Sequence, residues 1–382
     1  MRTRFSPAIV AGVLFALVSA GPVQATAATI GATAYYLALG DSLARGVQPD
    51  ASGVDVETNQ GYVDDLYTLY RAAIPGLQLV KLGCPDETTT TMIHGGGRCN
   101  YPLGSQLAQA VDFLKTHRVV LVTIDIGANN YYLALGDSLA RGVQPDASGV
   151  DVETNQGYVD DLYTLYRAAI PGLQLVKLGC PDETTTTMIH GGGRCNYPLG
   201  SQLAQAVDFL KTHRVVLVTI DIGANNVDQC IDSNGTDPSC LESGFKAAQA
   251  ELPDILAQLR AARPDVLIVG MNYYDPFLAV WLQGPPGQAL ATASEQLTVA
   301  FNGLLGSVYS AFGVPVADVQ SAFQTTNFTS VPPFGVPVNV ILVCSWTWMC
   351  APDPVGPNIH PNVVGYWVIA GSFAKVIGPL RR

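Results

Sequence analysis

Tyr131-Tyr-Leu-Ala-Leu-Gly-Asp-Ser-Leu-Ala-Arg-Gly142 is an apolar run that stops at a glycine and presents a hydroxyl immediately after it. The run has strand character, and the small residue lets the backbone turn. Open α/β sheets place their chemistry at this position, outside the carboxyl ends of the strands. The same twelve residues stand at Tyr35–Gly46, and residues 35–130 recur without a change as residues 131–226. Ser42 and Ser138 are therefore two candidate nucleophiles with one C-terminal half to share.

An unaltered copy of this length marks a recent duplication or an error in assembling the sequence; repeat architectures have much shorter periods. Setting one copy aside, the rest is about the size of one large α/β domain. Within the second copy, Tyr131–Leu135 is read as a strand and Asp146–Gln156 as a polar loop. Val159, Leu162, Tyr166 and Ile170 keep helical spacing up to Pro171-Gly172. Leu173–Leu178 is a short strand, Ser201 caps a helix, and Val215–Ile222 is the continuous apolar run of a strand covered on both faces. Beyond the repeat, helices are expected over Gly244–Ala262, with a bend at Pro253, over Ala291–Phe312 and over Val363–Val376. Strands are expected at Asp265–Gly270 and Val314–Val319, with Tyr273–Gly287 and Gln320–Cys350 as irregular segments. Strands alternating with helices predict a three-layer α/β/α fold around a parallel sheet.

The junction between the copies limits how they can combine. Four residues separate the last strand of copy one from the first strand of copy two, and a parallel crossover needs a dozen or more. Copy one should form a separate, half-complete layer or stay partly unfolded. Residues 35–130 are expected to be an incomplete copy and residues 131–382 a complete domain, because copy two is contiguous with the C-terminal half.

Residues 1–27 read as a cleaved secretory signal: Arg2 and Arg4 precede the apolar stretch Ala8–Ala20, and small residues follow at Ala25-Thr-Ala27. That stretch is short for a membrane span, so no stable anchor is expected after cleavage. Eight cysteines fall as four close pairs, Cys84 with Cys99, Cys180 with Cys195, Cys230 with Cys240 and Cys344 with Cys350. Pairing of sequence neighbours is the simplest of the possible connectivities in an exported protein. Zinc is the competing reading, but Cys-x2-Cys spacing and His/Cys clusters are lacking. A net charge of −11, with no Lys/Arg cluster, argues against nucleic acid and anionic membranes as partners.

Three blocks fall at the expected strand and helix ends: Gly136-Asp-Ser-Leu139, Gly223-Ala-Asn-Asn226 and Asn358-Ile-His-Pro-Asn362. In this order they resemble the GDSL, or SGNH, hydrolase family. The local cysteine pairs and the stretch Gly179–Thr185 resemble its secreted actinobacterial esterases and lipases. The resemblance implies a flavodoxin-like α/β/α fold and a cofactor-free, metal-free serine hydrolase acting on carboxylic esters or lipids. It implies Ser138 as nucleophile, His360 as general base, and an oxyanion hole from Asn225 and the Ser138 backbone N–H. In copy one the equivalents are Ser42 and Asn129, and copy one lacks its own counterpart of His360.

Two positions depart from the family pattern. A glycine N–H usually completes the oxyanion hole where this chain has Asp182, or Asp86 in copy one. An acid usually stands three residues before the histidine, where this chain has Pro357. Asp353 or a backbone carbonyl such as that of Pro357 is then the candidate partner of His360. These departures keep a second reading open, a non-catalytic secreted module binding lipid or glycan. Tyr273, Tyr274, Phe277, Trp281, Trp346 and Trp348 are expected partly to line a substrate cleft and partly to pack. His190-Gly-Gly-Gly193 is read as a flexible loop held by Cys180–Cys195.

Overall fold

The computed structural model describes residues 33–50, 55–126, 130–170, 173–232, 235–333 and 335–380. The expected leader lies outside them. The chain divides into two compact units, Met1–Gly127 and Ala128–Arg382.

The second unit holds a five-stranded sheet. Its strands are β1 (Asn130–Gly136), β2 (Gln174–Lys177), β3 (Arg214–Asp221), β4 (Leu267–Met271) and β5 (Val316–Ala317). All neighbours are parallel and the spatial order is β2-β1-β3-β4-β5. That is the flavodoxin-like order, whose direction reverses between β1 and β3, where ligands bind in such folds. Every residue of β1 is buried, as is most of β3, because helices cover both faces.

Six helices matter for the site: α1 (Ser138–Arg141), α2 (Tyr158–Arg167), α3 (Gln202–Thr212), α4 (Pro238–Ala262), α5 (Pro285–Ala311) and α6 (Val363–Ile377). α2 packs on α6, with Tyr158 stacked on Phe373 at 4.8 Å between ring centroids. α4 packs on α3 and α5. One core of aliphatic and aromatic side chains runs through this unit from Tyr132 to Phe373.

Several boundaries differ from expectation. α4 starts at Pro238, six residues before the expected Gly244, with the Asp237 carboxylate accepting from the N–H groups of Ser239 and Cys240. α5 likewise starts at Pro285 rather than Ala291. In both cases a proline that reads as a break occupies the first helical turn, where its missing N–H costs nothing. Pro253 sits inside α4 without ending it. The segments expected to be irregular contain a 3-10 helix, Pro276–Gln283, and a nine-residue α-helix, Val338–Trp346.

The first unit carries its own parallel three-stranded sheet, with Ala34–Gly40 between Gln78–Lys81 and Arg118–Asp125. The disulfides join sequence neighbours: Cys84 to Cys99, Cys180 to Cys195, Cys230 to Cys240 and Cys344 to Cys350. Their Cα–Cα distances are 5.9, 5.9, 5.5 and 4.9 Å in that order. Among the described residues, no helix is long and apolar enough to cross a membrane.

Candidate active site

β1 ends at Gly136, whose φ is +133°. A Cβ there would lie 2.1 Å from the Asp221 carbonyl oxygen, so only glycine fits between β1 and β3. Gln202 grips the Gly136 peptide from both sides: its Oε1 accepts from the Gly136 N–H at 2.7 Å and its Nε2 donates to the Gly136 carbonyl at 3.0 Å. Asp137 then caps α1, accepting from the Leu139 N–H at 2.9 Å. Ser138, the first residue of α1, is thereby held just past the strand and is half-buried.

Below it lies a cluster of buried acids. Asp221, at the end of β3, accepts from the Ala140 N–H at 3.1 Å and from the Tyr158 hydroxyl. Burial pushes its carboxyl up to about 7. Burial, followed by the Asp221 charge, holds Asp137 well above the usual carboxylate range. Burial also lifts Asp228, on the wall beside Ser138, to about 7. Burial thus disfavours the charged form of each of these carboxyls beside Ser138.

The residues expected at the oxyanion hole come from two loops. Asn225 follows β3 and donates from Nδ2 to the Glu183 carbonyl at 3.0 Å. That bond fixes the amide and leaves its second N–H for another acceptor. Asp182 has φ +64°, a left-handed backbone that explains why a glycine would serve there and why aspartate, which tolerates this region, can replace it. Its carboxylate is exposed and lies 3.3 Å from the Arg194 guanidinium. A carboxylate beside a developing oxyanion would oppose it, and the neighbouring guanidinium offsets part of that charge. In copy one Asp86 has the same φ of +64° and Ser42 also starts a short helix, while Asn129 lies outside the described residues.

The cysteines differ in what they contribute here. Cys195, bonded to Cys180, borders the site and holds the loop that carries Asp182 and Arg194. Cys99 is its counterpart in the first copy and is bonded to Cys84 as expected. It belongs to the first unit, where its bond to Cys84 ties the matching loop of a copy that lacks its own counterpart of His360. The local bond forms in both copies because it closes only 15 residues; the site needs the C-terminal half as well.

His360 sits in the short strand Asn358–Pro361 just before α6 and is 7% exposed. Its Nδ1 lies 2.8 Å from Asn358 Oδ1 and 3.5 Å from Asp151 Oδ1. Asp353, the sequence candidate for this place, is exposed, and no contact joins it to the imidazole among the described residues. Asp151 lies in a turn-rich stretch, and nothing in the spacing of the sequence ties it to residue 360.

Two clefts meet at Ser138 and His360. One, of about 80 Å³, has mainly apolar walls including Val227, Leu241, Phe245, Phe277 and Phe301. The other, of about 240 Å³, is polar and bounded by Asp151, Glu153, Asp182 and Arg194. Of the aromatic candidates, Tyr273, Tyr274 and Phe277 line the first cleft. Trp281 packs near Phe328 and Trp346 against Phe323.

Residues 134–368 match the sequence profile of the GDSL-like lipase/acylhydrolase family. The chain belongs to that family. No curated protein sequence matches it. Similar solved structures include an acetyl xylan esterase from Geobacillus stearothermophilus, 18% identical, covering 67% of this chain and 98% of that one at a TM-score of 0.44. An extracellular lipase from Streptomyces rimosus is 16% identical, with coverage of 65% and 99% and a TM-score of 0.42. A phospholipase A1 from Streptomyces albidoflavus is 19% identical, with coverage of 66% and 99% and a TM-score of 0.40. The profile of this GDSL family covers the serine after β1, the asparagine after β3 and the histidine before α6.

Proposed function

We propose that the chain is a secreted serine hydrolase that cleaves carboxylic esters through an acyl-enzyme, with residues 131–382 as the catalytic domain and residues 35–130 as an incomplete copy. The observation that carries this reading is that Ser138 and His360 border both the apolar and the polar cleft. An ester spanning the two would bring its carbonyl to the serine, with the acyl group on the apolar side and the alcohol on the polar side.

In this mechanism His360 Nε2 takes the hydroxyl proton as Ser138 Oγ attacks the carbonyl carbon. Negative charge gathers on the carbonyl oxygen, where the second N–H of Asn225 and the backbone N–H groups of Ser138 and Asp182 can receive it. Such a donor is typically worth roughly 3–4 kcal/mol in the transition state. The C–O bond to the alcohol then breaks and the imidazolium returns its proton to the departing oxygen. Water, deprotonated by the same imidazole, releases the acid and restores Ser138.

Family membership, four disulfides and the leader-like residues 1–27 support both the chemistry and export. The binding-module reading rested on Asp182 and Pro357. Asp182 keeps the backbone the hole needs, and Nδ1 of His360 has a partner despite Pro357. A fluorophosphonate should label Ser138, and the protein should hydrolyse p-nitrophenyl esters. Absence of both in the folded, disulfide-bonded protein would refute the proposal.

A further inference from the structure

Asn358 connects His360 to a carboxylate that the chain brings from far away. Its Oδ1 accepts from the His360 backbone N–H at 3.0 Å and faces Nδ1 at 2.8 Å. Its Nδ2 donates to Asp151 Oδ1 at 2.7 Å. A carboxylate accepts and cannot donate, so Asp151 settles which end of the amide is which. With Oδ1 turned to the imidazole, Nδ1 must carry the proton, and Nε2 keeps its lone pair for the serine. The tautomer that a general base requires is thus set two residues and one amide away from the carboxylate.

The loop that delivers Asp151 is built for close approach. The Asp146 carboxylate accepts from the Ser148 and Val150 N–H groups at 2.8 and 3.0 Å, closing a tight turn. Gly149, at φ +83°, lies so near the Pro354 carbonyl that a Cβ would sit 1.9 Å from its oxygen. The turn therefore docks on the segment leading into Asn358, and Asp151 follows directly. The nearby His360 imidazole, as the largest cause, holds the Asp151 carboxyl below its ordinary value.

We propose that Asp151 is a positioning residue for ester hydrolysis, acting through Asn358 to fix the His360 tautomer and to balance the charge of the imidazolium. The inference rests on the function proposed above, in that it needs His360 to act as the base. It assigns the third member of the catalytic group to an acid in the first half of the domain, with an amide between it and the histidine. Other charged groups around the imidazole are Asp137 beneath it and Glu153, Asp182 and Arg194 across the polar cleft. Asp182 is matched by Arg194 and Glu153 by Arg141, so Asp151 is the carboxylate aimed at Nδ1.

The test uses the full secreted protein and p-nitrophenyl butyrate across pH 4–9. D151A should lower kcat by about tenfold to a hundredfold with KM nearly unchanged, less than loss of a directly bonded acid. The acid limb of kcat/KM should also move to lower pH, because an attraction for the protonated imidazole is gone. D151N can still accept from Asn358, so it should keep more of kcat than D151A while showing the same displaced limb. Adding N358D to D151A places a carboxylate directly on Nδ1 and should restore both kcat and the limb. Wild-type kcat in D151A, or a loss with an unmoved limb and no rescue by N358D, overturns the assignment. If fluorophosphonate does not label Ser138 in the wild type, the proposed function falls and this inference with it. If the wild type is labelled and D151A turns over normally, only the inference falls.

Discussion

Val122 and Ile124 are 40% and 58% exposed, whereas Val218 and Ile220, the same residues of the same strand in the second copy, are fully buried. Leu114 is 45% exposed and its counterpart Leu210 is not exposed at all. Inside each copy the local geometry is nevertheless alike. Gln106 and Gln202 each accept at 2.7 Å from the glycine that ends the first strand. Tyr62 donates to Asp125 as Tyr158 does to Asp221. What copy one lacks is the other half: in copy two the strand pairs with Leu267–Met271 and the helix is covered by α4. Ninety-six residues thus suffice for strands, caps and the serine turn, but not for a closed core or a site.

The largest effect expected from this comparison is catalytic. S138A should reduce ester hydrolysis by at least about a thousandfold and abolish fluorophosphonate labelling. S42A should leave both as they are. The reverse pattern in these assays would mean that the C-terminal half completes copy one instead, and would invert the comparison.

Stability offers a second contrast at matched chemistry. L210A removes a buried side chain and should cost about 2–5 kcal/mol. It should be read from the urea midpoint of ester hydrolysis. L114A, the same change on an exposed face, should change stability by less than about 0.5 kcal/mol and leave that midpoint almost unmoved.

Acidity should sharpen the likeness rather than the difference. Burial raises Asp221, Asp228 and Asp275 to about 7 in the second unit, and Asp125 to about 7 in the first. For groups raised in this way, the folded state holds protons that the unfolded chain releases near pH 3.9. Their contribution is fully present below that pH and is lost as pH rises through about 7. Urea midpoints should therefore fall between pH 5 and pH 8, and removal of residues 35–130 should not change the sign.

The smallest change should be in surface character. Deleting residues 35–130 should lower the binding of an apolar fluorescent dye, since the uncovered strand and helix go with them, while specific activity stays within about twofold. Unchanged dye binding would indicate that copy one's apolar face is covered in solution.

Much of this organisation is legible in the sequence, and the limits have physical causes. β1 and β3 are legible because a strand buried on both faces must be apolar throughout. α2 is legible from its helical spacing, and Ser138, Asn225 and His360 stand out because their blocks sit at element ends. Val338–Trp346 is rich in β-branched residues and still forms a helix, since packing around Val340 and Val343 outweighs local preference. The true starts of α4 and α5 hide behind prolines that only a cap makes favourable. Asp151 cannot be found by period or motif, because its bond to Asn358 spans 207 residues and depends on a glycine docking against a carbonyl. Asp353 is nearer in sequence, but nearness along the chain says little about a partner that a turn can deliver.

The hydrogen bond from Asn358 to Asp151 also has a consequence in time. A ribosome makes Ser138, Asp151 and Asn225 long before it makes His360. In the proposed mechanism, a chain that has grown only as far as Ser345 owns the alcohol, the carboxylate and the amide but not the His360 base that would use them. On the mechanism proposed above, the polypeptide would stay chemically silent through most of its own synthesis and would gain its reactivity only once the segment from Asn358 onward had folded back onto strands made far earlier.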